Sequence, residues 1–176
     1  MPADALRGAW FALAPPQVGL QLDATGVAAV GMRCEAVFEA HRRPLPGVPA
    51  ALEDPRQRLP DLPLAPVTHG PGGRRRPRAT ALGLDRSLEV FVISEEVGCA
   101  KPDPRIFPHC LERVGVAPVR AILVGDDPRT DVAGARSAGV GAVWLNRRAR
   151  PWPTDAGPRP PTLPSLQDVS RNLQTI

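Results

Sequence analysis

The sequence predicts a three-layer, doubly wound α/β domain on a mainly parallel, five-stranded sheet. Two observations carry this. Short apolar runs recur along the chain, each ends in a hydroxyl, glycine or acid, and helix-competent segments lie between them. One run, Ile122 to Val124, has no polar alternation, which marks a strand covered on both faces. Strand–helix alternation of this kind gives parallel strands with right-handed crossovers. Strands are expected at 18–22, 62–67, 90–94, 121–125 and 141–145, and helices at 28–40, 73–82, 104–114, 131–138 and 166–173.

The first run, Val18 to Leu22, stops at Asp23, and Thr25 follows closely. Val30, Cys34, Val37 and Phe38 then have helical spacing, enough for one helix. The second run, from Leu62, ends at Thr68-His69-Gly70. A threonine hydroxyl and the amides after it can hold phosphate oxygens. Two prolines disturb this region. Pro66 cannot donate a ladder hydrogen bond, and Pro77 inside a helix costs about 3 kcal/mol. Arg74, Arg75, Arg76 and Arg78 cluster on that helix. With no tyrosine and no interleaved aromatics to stack on bases, they read as a solvated face rather than a nucleic-acid site.

The third run, Val90 to Ile93, precedes Lys101, the one lysine among the 22 Lys and Arg residues. An ammonium is a compact point charge, whereas a guanidinium is a planar fork. A lone lysine suits a crowded site where a carboxylate and an anion share one cation. The fourth run ends in Gly125-Asp126-Asp127, at the carboxyl end of a strand, where open α/β sheets bind ligands. Carboxylates this close repel one another unless a hard cation such as Mg²⁺ accepts their oxygens. Thr130 or Asp131 is expected to cap the Ala-rich helix that Gly139 stops.

Lys101-Pro102-Asp103-Pro104-Arg105-Ile106-Phe107, preceded by Phe91-Val92-Ile93-Ser94-Glu95-Glu96-Val97-Gly98, resembles the haloacid dehalogenase-like (HAD) hydrolase superfamily. So does the order Thr68, Lys101, Gly125-Asp126-Asp127. The likeness runs from Leu45 to Asn146 and points to the phosphatase-like branch, with its helical cap missing or much reduced. It implies a HAD-like, Rossmannoid fold with the first strand central, and Mg²⁺-dependent phosphomonoester hydrolysis through an aspartyl-phosphate. Asp23 would be the nucleophile and Lys101 its cationic partner. Thr68, His69 and Gly70 would bind phosphate. Asp23, Asp126 and Asp127 would hold Mg²⁺, and Asp131 would complete the acidic loop. Thr25 departs from the pattern, because it stands where the family keeps an acid/base aspartate and has no useful pKa near neutrality. A cap-deleted relative that only binds metal and phosphate is therefore the second reading. A haloacid dehalogenase is the third, and the acid pair argues against that metal-free chemistry.

The domains expected are an extension at 1–17, a core at 18–146 with a minimal cap region at 28–44, and a Pro/Arg-rich tail at 147–176 closing in a short helix. A small phosphorylated metabolite is the implied partner. No run approaches the roughly 20 apolar residues of a membrane span. Trp10 to Ala14, flanked by prolines and Arg7, does not make a signal peptide. Cys34, Cys99 and Cys110 lack metal-type spacing and read as free thiols of a cytoplasmic protein. The net charge of +4 follows from the Arg-rich composition, and nucleic acid is not the partner expected from it.

Overall fold

The computed structural model describes residues 23–41, 43–44, 47–84, 88 and 90–172. The chain divides into two compact units, residues 1–43 and 44–176. The strand expected at 18–22 lies outside the described residues.

In the first unit, helix α1 (Ala24–Ala40) begins at 24 rather than at the expected 28. Asp23 explains the early start. Its backbone is extended, and its Oδ1 accepts the Gly26 amide at 2.7 Å, which satisfies one of the amides a helix start leaves open. Thr25 thus falls in the first helical turn. Met32, Val37 and Phe38 on this helix are exposed.

The second unit is α/β, and its described strands all pair in parallel. It opens with α2 (Val48–Arg58), which the sequence did not suggest because prolines and charges obscure its period. Gly47, at φ 83°, and a proline in the first turn start it. A Cβ on Gly47 would also sit 2.8 Å from the Gln167 side-chain nitrogen, so the glycine lets α2 meet the last helix closely.

Strand β1 (Val67–Thr68) is far shorter than the expected 62–67. Pro66 is the reason. It has no amide to donate, but its carbonyl still accepts Val92 N at 3.0 Å, so the ladder can start only after it. β1 pairs in parallel with β2 (Val92–Ile93), on either side of α3 (Gly72–Ala81) in sequence, and α3 carries Pro77 internally. A single turn, α4 (Ser94–Val97), follows β2 at once, then α5 (Ile106–Val114). Ile106, Phe107 and Cys110 of α5 pack with Val92, Ala135 and Val140 into the core.

Strand β3 (Ile122–Gly125) pairs in parallel with β4 (Gly141–Leu145), linked by a π-helical turn (Pro128–Val132) and α6 (Ala133–Ser137). The structure differs from expectation at β3, where Ile122 is 44% exposed. Among the described residues β3 has a neighbour on one side only, whereas Val143, Trp144 and Leu145 of β4 are buried.

The segment after Asn146 does more than trail away. Thr162–Leu163 adds in parallel to β4 as β5, and α7 (Leu166–Asn172) closes the fold. Trp152 meets Trp144 edge to face at 5.1 Å, and Arg159 lies 5.7 Å over the Trp144 ring. Arg129 holds Asp155 through both carboxylate oxygens. Aromatic and charge contacts therefore fix a segment whose composition reads as linker. Five strands are thus described, in two ladders, β1-β2 and β3-β4-β5.

No described helix is long and apolar enough to cross a membrane. Gly125 is required where β3 ends, because a methyl there would overlap the Asp131 side chain. Gly125→Ala should destabilise the fold by about 1–3 kcal/mol, the usual cost of overpacking, read as a lower urea midpoint.

Candidate functional site

Lys101 joins three segments. Its Nζ lies 2.7 Å from Asp131 Oδ1 and donates to the Val67 carbonyl at 2.8 Å. Both side chains of the pair are nearly buried, at 11% and 10% exposed. The other Asp131 oxygen accepts the Asp127 amide at 3.0 Å. One cation thus ties the end of β1 to the acidic loop after β3. Close packing supports the arrangement from below. A Cβ on Gly134 would come within 3.0 Å of Pro102 Cα, so the absence of a side chain lets α6 approach the Lys101 turn.

The acids divide their work differently from the sequence expectation. The helix after β3 is capped by Asp127, not by Thr130 or Asp131. Asp127 Oδ1 accepts the amides of Arg129 at 2.8 Å and Thr130 at 2.9 Å. The π turn accounts for the exchange of roles. It hydrogen-bonds Val132 N back to Asp127 O at 3.3 Å, and one turn of this width brings Asp131 inward under Asp127. Burial works to raise the Asp127 carboxyl, but hydrogen bonds from Thr130 and Arg129 outweigh it and hold the group below its ordinary range.

Asp126 is left facing solvent, with its side chain 57% exposed. Its carboxylate has Arg147 at 3.7 Å, and its carbonyl accepts from Trp144 Nε1 at 3.3 Å and Arg150 at 3.1 Å. Among the described residues no three His, Cys, Asp or Glu side chains gather as a metal cluster. Asp126 nonetheless has the oxygen chemistry and the exposure that a hard cation needs.

Thr68, His69 and Gly70 follow β1 directly. The Thr68 hydroxyl reaches only the His69 carbonyl, at 3.4 Å, the outer limit of a hydrogen bond. Gly70, at φ 115°, donates its amide to Ser94 Oγ at 3.1 Å, and Gly72 donates to Glu95 at 2.7 Å. Arg75 donates to the His69 carbonyl at 2.8 Å. His69 Nε2 is buried and has no hydrogen-bond partner. Burial, then the positive charge of Lys101, pulls the imidazole below its usual range, with Arg75 adding and the two acids Asp131 and Asp127 opposing. It is therefore neutral at pH 7 and has one ring nitrogen to offer. Asp23 and Thr25 belong to the first unit, where the Asp23 carboxylate caps α1.

Sequence reasoning missed Ser94, Glu95 and Arg75, which fix the loop after β1, and Arg147 and Arg150, which flank Asp126. The adjacency of Ser94-Glu95 to a strand end was a usable signal for the first two. The arginines carried none, because they are three among many in an Arg-rich chain.

A family model described as haloacid dehalogenase-like hydrolase matches residues 7–139. The chain is 45% identical over 126 residues to a phosphoserine phosphatase of Thermus thermophilus, a match covering 70% of this chain and 50% of that protein. It is 34% identical over 131 residues to the pyrimidine 5'-nucleotidase YjjG of Escherichia coli, covering 74% and 56%. A HAD phosphatase structure from Thermococcus onnurineus superposes with a TM-score of 0.70 at 28% identity, covering 88% of this chain and 66% of that one. The chain spans about half the length of the curated relatives it matches.

Asp131→Asn should cost about 3–5 kcal/mol in urea denaturation, because it leaves Lys101 buried without its carboxylate. Asp126→Asn should stay within about 0.5 kcal/mol, as an exposed position does. The Asp127 cap has a lowered folded pKa, so its stabilisation is present above the ordinary carboxylate range and is lost as pH falls through the folded value. The stability gap between the parent and Asp127→Asn should be open at neutral pH and close only as pH falls through the lowered folded value, below the ordinary carboxylate range.

Proposed function

Because the chain belongs to the haloacid dehalogenase-like hydrolases, we propose that it hydrolyses small phosphomonoesters with Mg²⁺ as its cofactor. The observation that carries this reading is the Lys101 junction. Its bonds to Val67 O and Asp131 gather the Thr68 loop and the acidic loop around one buried ammonium at the carboxyl ends of parallel strands.

In this reading the Thr68 hydroxyl, the His69 imidazole and the amides of the following turn take the phosphoryl oxygens. Thr68 has almost no competing partner, and His69 Nε2 has none. Lys101 offsets phosphoryl charge in a site where Asp131 fixes its position. Asp126 is the carboxylate most available to Mg²⁺, since Asp127 is engaged as a cap and Asp131 by Lys101. Bound there, Mg²⁺ would neutralise charge on the transferring oxygens. The nucleophile is assigned to Asp23 on its place in the sequence, ahead of Thr68, Lys101 and Asp126. Attack by its carboxylate on phosphorus would form an aspartyl-phosphate and release the alcohol, and attack of water on that phosphorus would then free the Asp23 carboxylate and release inorganic phosphate. The three free cysteines agree with a cytoplasmic setting.

A second reading, a protein that binds phosphate and metal without turnover, is favoured by one observation. Asp23 Oδ1 is engaged by the Gly26 amide, and Thr25 supplies no acid/base group.

Hydrolysis of an aryl phosphate by purified protein decides between the two. Turnover is expected with Mg²⁺ and not with EDTA, and Asp23→Asn should abolish it. Lys101→Arg should lower it at least tenfold, because a planar guanidinium cannot replace a point charge held between Val67 O and Asp131. Thr25→Asp should raise it about tenfold or more by restoring a proton donor, equivalent to about 1.4 kcal/mol of barrier. Phosphate binding with no turnover in any of these proteins would establish the second reading.

A further inference from the structure

The loop after β4 is built with more care than a connection needs. Asn146 and Arg150 are locked reciprocally, Asn146 Nδ2 donating to the Arg150 carbonyl at 2.8 Å and the Arg150 amide to Asn146 Oδ1 at 2.9 Å. Between them Ala149 is held at φ 48°, the one non-glycine position with positive φ among the described residues. A side chain disfavours that region, and such strain persists only where its surroundings enforce it, most often beside functional sites.

The lock has a definite result. It turns Arg150 onto the Asp126 carbonyl and sets Arg147 next to the Asp126 carboxylate. β3 and β4 are neighbours with Gly125 in register with Trp144, so the loop ends at the same sheet edge as the acidic loop. Arg147 is half-exposed, and its nearest carboxylate oxygen, at 3.7 Å, is beyond hydrogen-bonding distance. Its guanidinium therefore lies beside the Asp126 carboxylate with no hydrogen bond to it. The Arg150 side chain donates one bond inward and is otherwise exposed.

We propose that Arg147, positioned with Arg150 by the Asn146 lock, binds a carboxylate carried by the substrate in addition to its phosphoryl group. This inference rests on the phosphate-site reading above and narrows its substrate class to small phosphorylated carboxylic acids. A guanidinium fork matches a carboxylate bidentately, which a neutral alcohol or sugar hydroxyl cannot exploit. The alternative role for Arg147, screening the charge of Asp126, requires no discrimination among ligands.

Calorimetry of the full chain with Mg²⁺ tests the proposal. Phosphoglycolate and ethyl phosphate serve as probes, since they differ in a carboxylate against a methyl. The Asp23→Asn background keeps both ligands intact. The expected result is roughly tenfold tighter binding of phosphoglycolate, the effect of one charge-assisted pair. Arg147→Gln should bring the ratio of the two affinities close to one, and Arg147→Lys should leave an intermediate ratio. Because the Arg147 side chain makes no hydrogen bond within the protein, Arg147→Gln should melt at the parent's temperature, and Asn146→Ala, which removes the side chain that holds the Arg150 backbone, gives a second, independent loss of the ratio. Equal affinity for both probes in the parent, or a preference that survives both Arg147→Gln and Asn146→Ala, overturns the proposal while leaving the phosphate site standing. Binding of neither probe overturns both.

Discussion

One buried ion pair organises this protein. Lys101 and Asp131 sit in an environment where a lone charge of either sign would be costly, so each fixes the other. From that constraint several local choices follow. Gly125 must lack a side chain to leave room for Asp131, and Gly134 must lack one to let α6 reach the Lys101 turn. The chain after Asp127 must widen into a π turn for Asp131 to point inward. With Asp131 occupied, Asp127 is free to cap the turn, and the exposed Asp126 carboxylate has neither role. Three neighbouring acids thus acquire three different roles from one lysine.

Much of this was legible in the sequence. The run Ile122 to Val124 followed by Gly125-Asp126-Asp127 marks a strand and its ligand end, and β3 closes on that glycine. The single lysine marked a position worth attention, and the structure places its ammonium between the Val67 carbonyl and the Asp131 carboxylate. What could not be read was which acid does what. Asp127 and Asp131 are chemically identical, and their assignment depends on one extra residue in a helical turn, which leaves no mark on hydrophobic periodicity. The start of α1 was misplaced for a similar reason. Asp23 reads equally well as the end of a strand and as a helix cap, and its bond from the Gly26 amide makes it the cap of α1.

Elements shaped by proline were the other source of error. Counting apolar residues predicts a strand over 62–67, but a residue without an amide cannot enter a ladder, and only Val67–Thr68 pair. In the opposite direction, Thr162–Leu163 lies among prolines and reads as linker, yet two residues suffice once Trp144 and Trp152 have drawn the segment to the sheet. Local propensity was overridden by tertiary contact in both places.

The prolines around β5 also protect the molecule from its own kind. A sheet that ended at β4 would offer an open row of amides and carbonyls to any passing strand. Here Pro161 supplies a carbonyl to Trp144 N at 2.9 Å but has no amide to present outward, and Pro164 follows Leu163 directly. The added strand satisfies its inner neighbour and is too short, and too poor in donors, to template another. An Arg- and Pro-rich composition that looks careless in one dimension thus gives the β5 side of this sheet a border poor in donors.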